Sequence, residues 1–420
     1  MKHIKPIKNI DATVRVPGSK SYTQRALIAA SLARGNSHVR DALISEDTEY
    51  LINALRLLGA TIGRKGCDLN IQGTGGALNT PSETIYMGNN GTGLRLLTGT
   101  VSLGHGTFVL DGNARMRQRP IQPLLDALGN IGVQAACTEG NGCPPVRVLA
   151  KGLSGGKTTL ATGLSSQYLS SLLLAAPYAG KDTEIEVLGS LPSWPYVRIT
   201  LDVMARFGAK VSDGQFKSFL IKAPQAYHAL DYVVEGDASS ATYFMAAAAI
   251  CGGTVRIPNI NPGSLQGDLR FSDVLKIMGC RINTSGKGLE ITGPLSNHGD
   301  LSFDLHDVPD MVPGLAVVSA FRKGKTVLKN IAHLRIKESD RISAVTNELR
   351  KIGAKAEEKA DEMIIQGMAT RGAEIECYSD HRIAMSFAIA GLAVDGVSIK
   401  DPGCVKKSFP DFWERLESLG

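Results

Sequence analysis

Two kinds of apolar segment alternate along the chain. The first kind is apolar nearly all round: ALIAASLA, LRLLTGTVSL, YLSSLLLAAPYA, TYFMAAAAI, GLAVVSAF and AMSFAIAGLA. A helix without a polar face has no side to give to water, so these six segments predict buried helices. The second kind is leucine-rich, mixed with polar residues, and ends in glycine: LRLLGATI at Gly59, LGNIGV at Gly132, MARFGAKV at Gly208, KIMGCRI at Gly279 and LRKIGAKA at Gly353, with LESLG closing the chain at Gly420. Glycine in that place predicts a helix ended by a left-handed residue. These glycines recur about every seventy residues. Six more, Gly35, Gly106, Gly180, Gly253, Gly324 and Gly396, keep the same period, and each precedes a β-like stretch: HVRDA, TFVLDG, EIEVLG, TVRIPN, TVLKNI and VSIKD. Two markers with one period predict six copies of a unit with two helices and a few strands. Six units predict two similar halves of three, helices inside and sheets outside, with the junction near Val233–Asp237.

Composition bounds this picture. A chain of 420 residues with 43% hydrophobic and 20% charged residues predicts two or three domains with real cores and excludes disorder. Forty-six glycines and only 5% aromatics predict many tight turns and a core of small aliphatics. The longest apolar run, Tyr243–Cys251, is far short of the ~20 residues that span a bilayer, so no membrane is expected. The N-terminal MKHIKPIKNIDATVRV is basic without an apolar stretch, unlike a secretory signal. Seven cysteines, irregularly spaced and without a CxxC, predict no disulfide scaffold and a reducing, cytoplasmic location. The net charge of +6 fits an anionic small substrate better than a nucleic acid.

The chemistry sits at the predicted starts of the buried helices: PGSKSYTQR (17–25), GNNGTGLR (88–95), SSQY (165–168), EGDASSA (235–241), PDMVPG (309–314) and SDHR (379–382). All six carry capping or turn residues. A helix start offers free N–H groups and the positive end of the dipole, and therefore binds anions. Capping alone has no need of Lys20, Arg25, Arg95 and Arg382. Further cations occur in RMRQRP (115–120), LRIKESDR (334–341) and VKKSFP (405–410). A cleft that gathers Lys20, Arg119, Lys337, Arg341, Arg382 and Lys407 fits a doubly anionic substrate pair. Other chemistries fail on spacing. Both GKT tripeptides lack the upstream glycine of a phosphate-binding loop, and GTGGAL at Gly73 has Leu78 where a dinucleotide fingerprint needs glycine. No HExxH or Cys/His spacing supports a metal.

Taken in order, PGSKSYTQRALIAA, GNNGTGLR, DGNARMRQRPI, SSQYLSSLLL, EGDASSATYFMAAAAI, LRIKESDRI, DHRIAM and KKSFPDF resemble the 5-enolpyruvylshikimate-3-phosphate synthase family over essentially the whole chain. The resemblance implies an α/β fold: a two-domain inside-out α/β barrel of six βαβαββ units, three per domain. One domain is discontinuous, residues 1–19 with 235–420, the other is 20–234, and the active site lies in the interdomain cleft. The implied reaction moves the enolpyruvyl group of phosphoenolpyruvate to the 5-hydroxyl of shikimate-3-phosphate through a tetrahedral intermediate. No cofactor, metal or macromolecular partner is implied, and a monomer is expected.

Carried over motif by motif, Asp310 is implied as the base on the 5-hydroxyl, and Glu338, assisted by Lys20, as the group that exchanges a proton at C3. Ser21, Arg25, Ser165, Ser166, Gln167, Ser193, Tyr196 and Lys337 are implied to hold shikimate-3-phosphate together with Asp310. Lys20, Asn89, Gly91, Arg119, Gln167, Arg341, Arg382 and Lys407 are implied to hold phosphoenolpyruvate. Glyphosate, which mimics that substrate's site in this family, is an implied inhibitor, with Gly91 leaving room for it. The chain departs from the family pattern at His333, where well-known members have Asn, and at Gln118, Gly93 and Leu96.

Two other readings exist. The related enolpyruvyl transferase acting on UDP-N-acetylglucosamine carries K-N in its first motif and a Cys acid in its loop, whereas here Ser21 follows Lys20 and RMRQRP has no Cys. A non-catalytic anion- or nucleic-acid-binding repeat protein suits the pI of 8.8 but leaves Asp310 and Glu338 beside the cationic phrases unexplained.

Overall fold

The computed structural model describes the whole chain except Thr162, Leu164, residues 285–287 and His298. The chain divides into two compact units, Met1–Pro17 with Glu235–Gly420, and Gly18–Val234.

The contiguous unit contains α1 (Lys20–Leu32), α2 (Glu46–Leu57), α3 (Gly91–Val101), α4 (Gln122–Asn130), α5 (Gln167–Ala175) and α6 (Pro195–Arg206). The discontinuous unit contains α7 (Ala238–Cys251), α8 (Arg270–Ile277), α9 (Val312–Ser319), α10 (Arg341–Lys351), α11 (His381–Gly391) and α12 (Phe412–Glu417). The odd-numbered helices are the segments apolar all round, and nearly every residue in them is buried; all of α9 and α11 is. Their small residues set the spacing. A Cβ on Gly99 of α3 would lie 2.5 Å from the Ser171 hydroxyl of α5. That hydroxyl instead accepts the Gly99 N–H at 3.1 Å and donates to the Arg95 carbonyl at 2.6 Å. The two backbones thus approach through a polar stitch that a larger side chain would break. The even-numbered helices each bury one face, and those ending at Gly59, Gly132, Gly208, Gly279 and Gly353 do so on residues with φ between 89° and 107°.

Among the described residues each unit carries three small sheets. Five of the six follow one plan. A first strand runs parallel to the strand after the buried helix, which pairs antiparallel with the last strand of a hairpin. In the contiguous unit these central pairs are Ile85–Tyr86 with His105–Asp111, Gly156–Ala161 with Thr183–Leu188, and Asp231–Val233 with Asn36–Arg40. The last pair joins the end of the unit to its beginning. In the discontinuous unit Ile10–Thr13 pairs in parallel with Gly253–Ile257, so the N-terminal segment completes a sheet begun some 240 residues later. Leu301–Asp304 pairs in the same way with Thr326–Lys329.

The sixth copy departs from the plan. Its sheet has three strands, Glu374–Ile375, Ser398–Ile399 and Lys2–His3. The chain's first strand, Lys2–His3, pairs antiparallel with Ser398–Ile399 where the other copies place the last strand of a hairpin. Each unit keeps its helices interior. In the discontinuous unit Phe244, Phe387, Phe409 and Phe412 share one core with Leu315, Val317 and Ile389. Burying each such side chain contributes about 1.5–3 kcal/mol.

Candidate active site

Helix starts bring the expected residues into play in each unit, and none of those residues is exposed. In the contiguous unit, α1 opens with Lys20, whose Nζ lies 3.1 Å from Oδ2 of buried Asp47. One turn later Arg25 is fully buried. It donates to Thr200 at 2.7 Å, to Ser170 at 3.3 Å and to the Ser21 carbonyl at 2.9 Å. Burial without a carboxylate partner brings its guanidinium down to about 10.

The start of α3 is built around Arg119. Its NH1 donates to the Asn89 carbonyl at 3.2 Å and to the Asn89 side chain at 3.0 Å. A Cβ on Gly91 would meet the three outer atoms of the guanidinium at 2.6–2.7 Å, so Arg119 lies flat against the first residue of the helix because that residue is glycine. Asn90 caps the helix by accepting the Gly93 N–H at 2.8 Å, and its amide donates to the Asp47 carbonyl at 2.6 Å. Lys20 and Asn89–Gly91 are thereby tied to one backbone segment. Gln167, at the start of α5, accepts from Arg95 at 2.7 Å and donates to Thr92 at 2.9 Å. Ser165 and Ser166 are buried beside it, and the Gln167 N–H reaches the Ser165 hydroxyl at 3.3 Å. Ser193, with φ 59°, turns the chain into α6 and accepts the Tyr196 N–H at 3.1 Å.

In the discontinuous unit the focus is Arg341, 1% exposed at the first position of α10. It holds three carboxylates: Asp380 at 2.7 and 3.2 Å, Asp310 at 3.0 Å and Glu338 at 2.9 Å. Burial alone lowers an arginine's pKa, but these three charges outweigh it and raise it above the ordinary value. Arg382 donates to the second oxygen of Asp310 at 2.7 Å and to Tyr243 at 3.4 Å. Asp310 therefore lies between two guanidinium groups with its side chain still 23% exposed. Lys337 precedes Glu338 on the turn that leads into α10, and Lys407, itself buried, ends the turn Pro402–Lys407. His333 is buried. Burial first, then the charges of Lys337 and His306, push it down to about 3, toward the neutral imidazole.

Of the six helix starts expected to carry capping or turn residues, a side-chain cap bond forms at Asn90, Asp237 and Asp380. Ser19, Ser166 and Met311 make no side-chain cap bond. Contacts among the expected residues include Ser21 with Arg25, Asn89 and Gly91 with Arg119, Ser165 with Gln167, Asp310 with Arg341 and Arg382, and Glu338 with Arg341.

A family model described as EPSP synthase (3-phosphoshikimate 1-carboxyvinyltransferase) matches residues 4–416. The chain belongs to the EPSP synthase family. The 3-phosphoshikimate 1-carboxyvinyltransferase of Sulfurovum sp. (strain NBC37-1) is 42% identical over 422 residues, covering 99% of this chain and 98% of its own. That of Syntrophobacter fumaroxidans is 43% identical over 423 residues, covering 100% and 99%. The chloroplastic enzyme of Brassica napus is 42% identical over 436 residues, covering 99% of this chain and 84% of its own. The solved EPSP synthase of Acinetobacter baumannii aligns with 100% of this chain and 98% of its own at a TM-score of 0.82 and 30% identity.

For an EPSP synthase, three further carboxylates bear on the site that sequence reading did not single out for it. Asp47 holds Lys20, and Asp380 holds Arg341 while its Oδ1 caps α11 through the Arg382 N–H at 3.0 Å. Asp268 is buried and accepts a hydrogen bond from the Ser239 hydroxyl. Burial first, and Asp310 second, push its carboxyl up to about 7. Asp380 could have been found as the acid of the SDHR phrase. Asp47 and Asp268 sit in phrases, SEDTEY and QGDLRF, that read as ordinary helix-start acids; only burial distinguishes them.

Proposed function

We propose that this transferase moves the enolpyruvyl group of phosphoenolpyruvate to the 5-hydroxyl of shikimate-3-phosphate, releasing phosphate, within aromatic amino-acid biosynthesis. The family relation supports the reaction and disfavours UDP-N-acetylglucosamine as the acceptor, since the matching family model and the relatives named above carry the shikimate name. The observation that carries the residue roles is the arginine shared by Asp310 and Glu338.

The 5-hydroxyl attacks C2 while a proton reaches C3, giving a ketal phosphate. Elimination then removes a proton from the new methyl group as phosphate leaves. Two proton-handling groups are needed. Asp310 takes the hydroxyl proton. Glu338, three residues before Arg341 on the same turn, handles the proton at C3 with Lys20. Arg341 and Arg382 clamp the carboxylate of phosphoenolpyruvate. Both face Asp310, so a substrate carboxylate arriving on them competes with Asp310 for the two guanidinium groups. Arg119, against Gly91 and Asn89, takes the phosphate, with Lys20 and Lys407. Ser165, Ser166 and Ser193 take the shikimate phosphate with Lys337, Ser21 and Arg25 its ring and carboxylate, and Tyr196 its flank; Gln167 separates the two substrates. Fixed cations aimed at the charged groups are the source of rate.

The reaction is proposed for a cytoplasmic monomer that needs no cofactor or metal. The test is phosphate release from phosphoenolpyruvate in EDTA, with and without shikimate-3-phosphate. Release that needs both substrates and ignores EDTA supports the reading. Release that needs UDP-N-acetylglucosamine instead, or metal, overturns it.

A further inference from the structure

Three of the eight non-glycine residues with positive φ among the described residues gather at the start of α6. Ser193 (φ 59°) turns the chain into the helix, and Gln215 (φ 55°) with Phe216 (φ 62°) forms the middle of the turn Gly214–Lys217. That turn joins Ser212–Asp213 to Ser218–Ile221, which pair antiparallel, and the Lys217 N–H closes it on the Gly214 carbonyl at 3.1 Å. Two consecutive positive φ values suit Asn-Gly; in Gln-Phe they cost energy. Asp213 offsets part of that cost by accepting the Phe216 N–H at 2.7 Å. Strain held in this way points to a use for the side chain it places.

The Phe216 ring centre lies 5.1 Å from that of Trp194 and 6.4 Å from that of buried Phe219. The Arg198 guanidinium lies 4.5 Å from the centre of the Trp194 ring and 5.9 Å from that of Phe216, within cation–π reach of both. Trp194 and Arg198 are one turn apart and therefore share one side of α6. Tyr196 and Thr200 share the other. There the Thr200 hydroxyl donates to the Tyr196 carbonyl at 3.0 Å and accepts from Arg25 at 2.7 Å. Trp194 follows Ser193 directly, and its carbonyl accepts the Val197 N–H at 2.9 Å in the first turn of the helix.

We propose that the Trp194–Arg198–Phe216 stack positions the shikimate-3-phosphate site, by locking the first turn of α6 and through it Ser193, Tyr196 and Arg25. This rests on the assignment of those three residues to that substrate given above. A serine does not favour φ 59° by itself. The ring of Trp194 is held by the stack on one side of the Ser193–Pro195 segment, and Pro195 has its φ fixed by its own ring on the other. Few soft dihedrals are left by which Ser193 could relax. Phe216 is thus a positioning residue on a hairpin that holds none of the residues assigned to either substrate. None of those assigned to phosphoenolpyruvate lies on α6 or on the hairpin, so the effect is confined to the acceptor.

Phe216→Gly tests this in the full-length enzyme. Glycine adopts a positive φ at no steric cost, so the turn is kept while the ring is removed. Displacing a positioning group can cost up to about a hundredfold, and here KM for shikimate-3-phosphate is expected to rise about tenfold, with kcat and KM for phosphoenolpyruvate little changed. Phe216→Tyr keeps the ring and is expected to behave as the parent protein. Trp194 and Trp413 are the two tryptophans of the chain. In a Trp413→Phe background the emission is that of Trp194, and Phe216→Gly is expected to shift it to longer wavelength. An unshifted emission means that the rings do not stack in solution and overturns the proposal. A shifted emission with unchanged KM for shikimate-3-phosphate overturns it too, as does an equal loss in Phe216→Tyr. Ser193→Ala with unchanged KM for shikimate-3-phosphate would instead count against the assignment of Ser193, on which the emission shift does not depend.

Discussion

Gly91 shows how a single missing atom shapes the site. Its place at the first position of α3 lets the Arg119 guanidinium lie where a Cβ would be, 2.6 Å away. Alanine there must push Arg119 off the helix start and away from Asn89. The Gly91→Ala enzyme is expected to raise KM for phosphoenolpyruvate about tenfold or more, the equivalent of ~1.4 kcal/mol or above, with KM for shikimate-3-phosphate little changed. Steady-state kinetics varying each substrate in turn separates the two. Asp310 makes a different kind of contribution, since it is paired with two arginines before any base catalysis. Asp310→Asn keeps the shape and removes the charge, so kcat should fall by ~10²–10⁴ while shikimate-3-phosphate still binds; calorimetry beside kinetics checks both. His333 is a third case. An unfolded chain protonates this histidine below its ordinary value of 6.5, whereas the folded protein holds it neutral down to about 3. The unfolded state therefore binds more protons in that window. This group withdraws up to ~1.4 kcal/mol of stability per pH unit as pH falls from 6.5 toward 3. His333→Asn should accordingly gain in melting temperature relative to the parent between pH 7 and pH 5.

At the scale of elements, the helix starts are alike in sequence and unlike in physics. Asp237 accepts the Ser240 N–H at 2.6 Å, so Asp237→Ala should cost about 1 kcal/mol. Ser19 makes no side-chain cap bond, and Ser19→Ala should cost a few tenths at most, as denaturant titration of both variants would show. The buried helices were legible because an all-apolar segment has one solution in water, and their C-terminal partners because the glycine that ends them recurs on a fixed period. Capping was only half legible. Ser, Asn and Asp satisfy the same composition rule, but whether the side-chain oxygen turns back to the N2 or N3 amide depends on the backbone entering the helix, which the phrase alone does not encode. The missing hairpin of the last copy was likewise invisible: its β-like signal, VSIKD, matches the others, and only the incoming strand Lys2–His3 explains why no hairpin is needed.

At the scale of the molecule, the topology sets what can stand alone. Residues 18–234 are continuous, and their own strand Asp231–Val233 closes the sheet that begins with Asn36–Arg40. Expressed alone, this unit should fold, melt cooperatively and bind shikimate-3-phosphate weakly without turnover. Residues 235–420 alone lack the strand Ile10–Thr13 that borders Gly253–Ile257 and should be less stable than the same segment supplied with residues 1–17. Circular dichroism and thermal melts of the three fragments decide this.

The sequence by itself determined the period, the buried helices, the strand after each and the cationic phrases at the helix starts, because each follows from local patterning or composition. Tertiary structure alone decided which acid holds which cation. Asp47 on Lys20, Asp380 and Asp310 on Arg341, and Asp268 beneath Ser239 are set by burial and by contacts between segments 27 to 39 residues apart. No local pattern distinguishes a buried carboxylate from a solvated one; the difference is the low dielectric and the neighbouring charge that folding brings, and these set the electrostatics on which the chemistry depends.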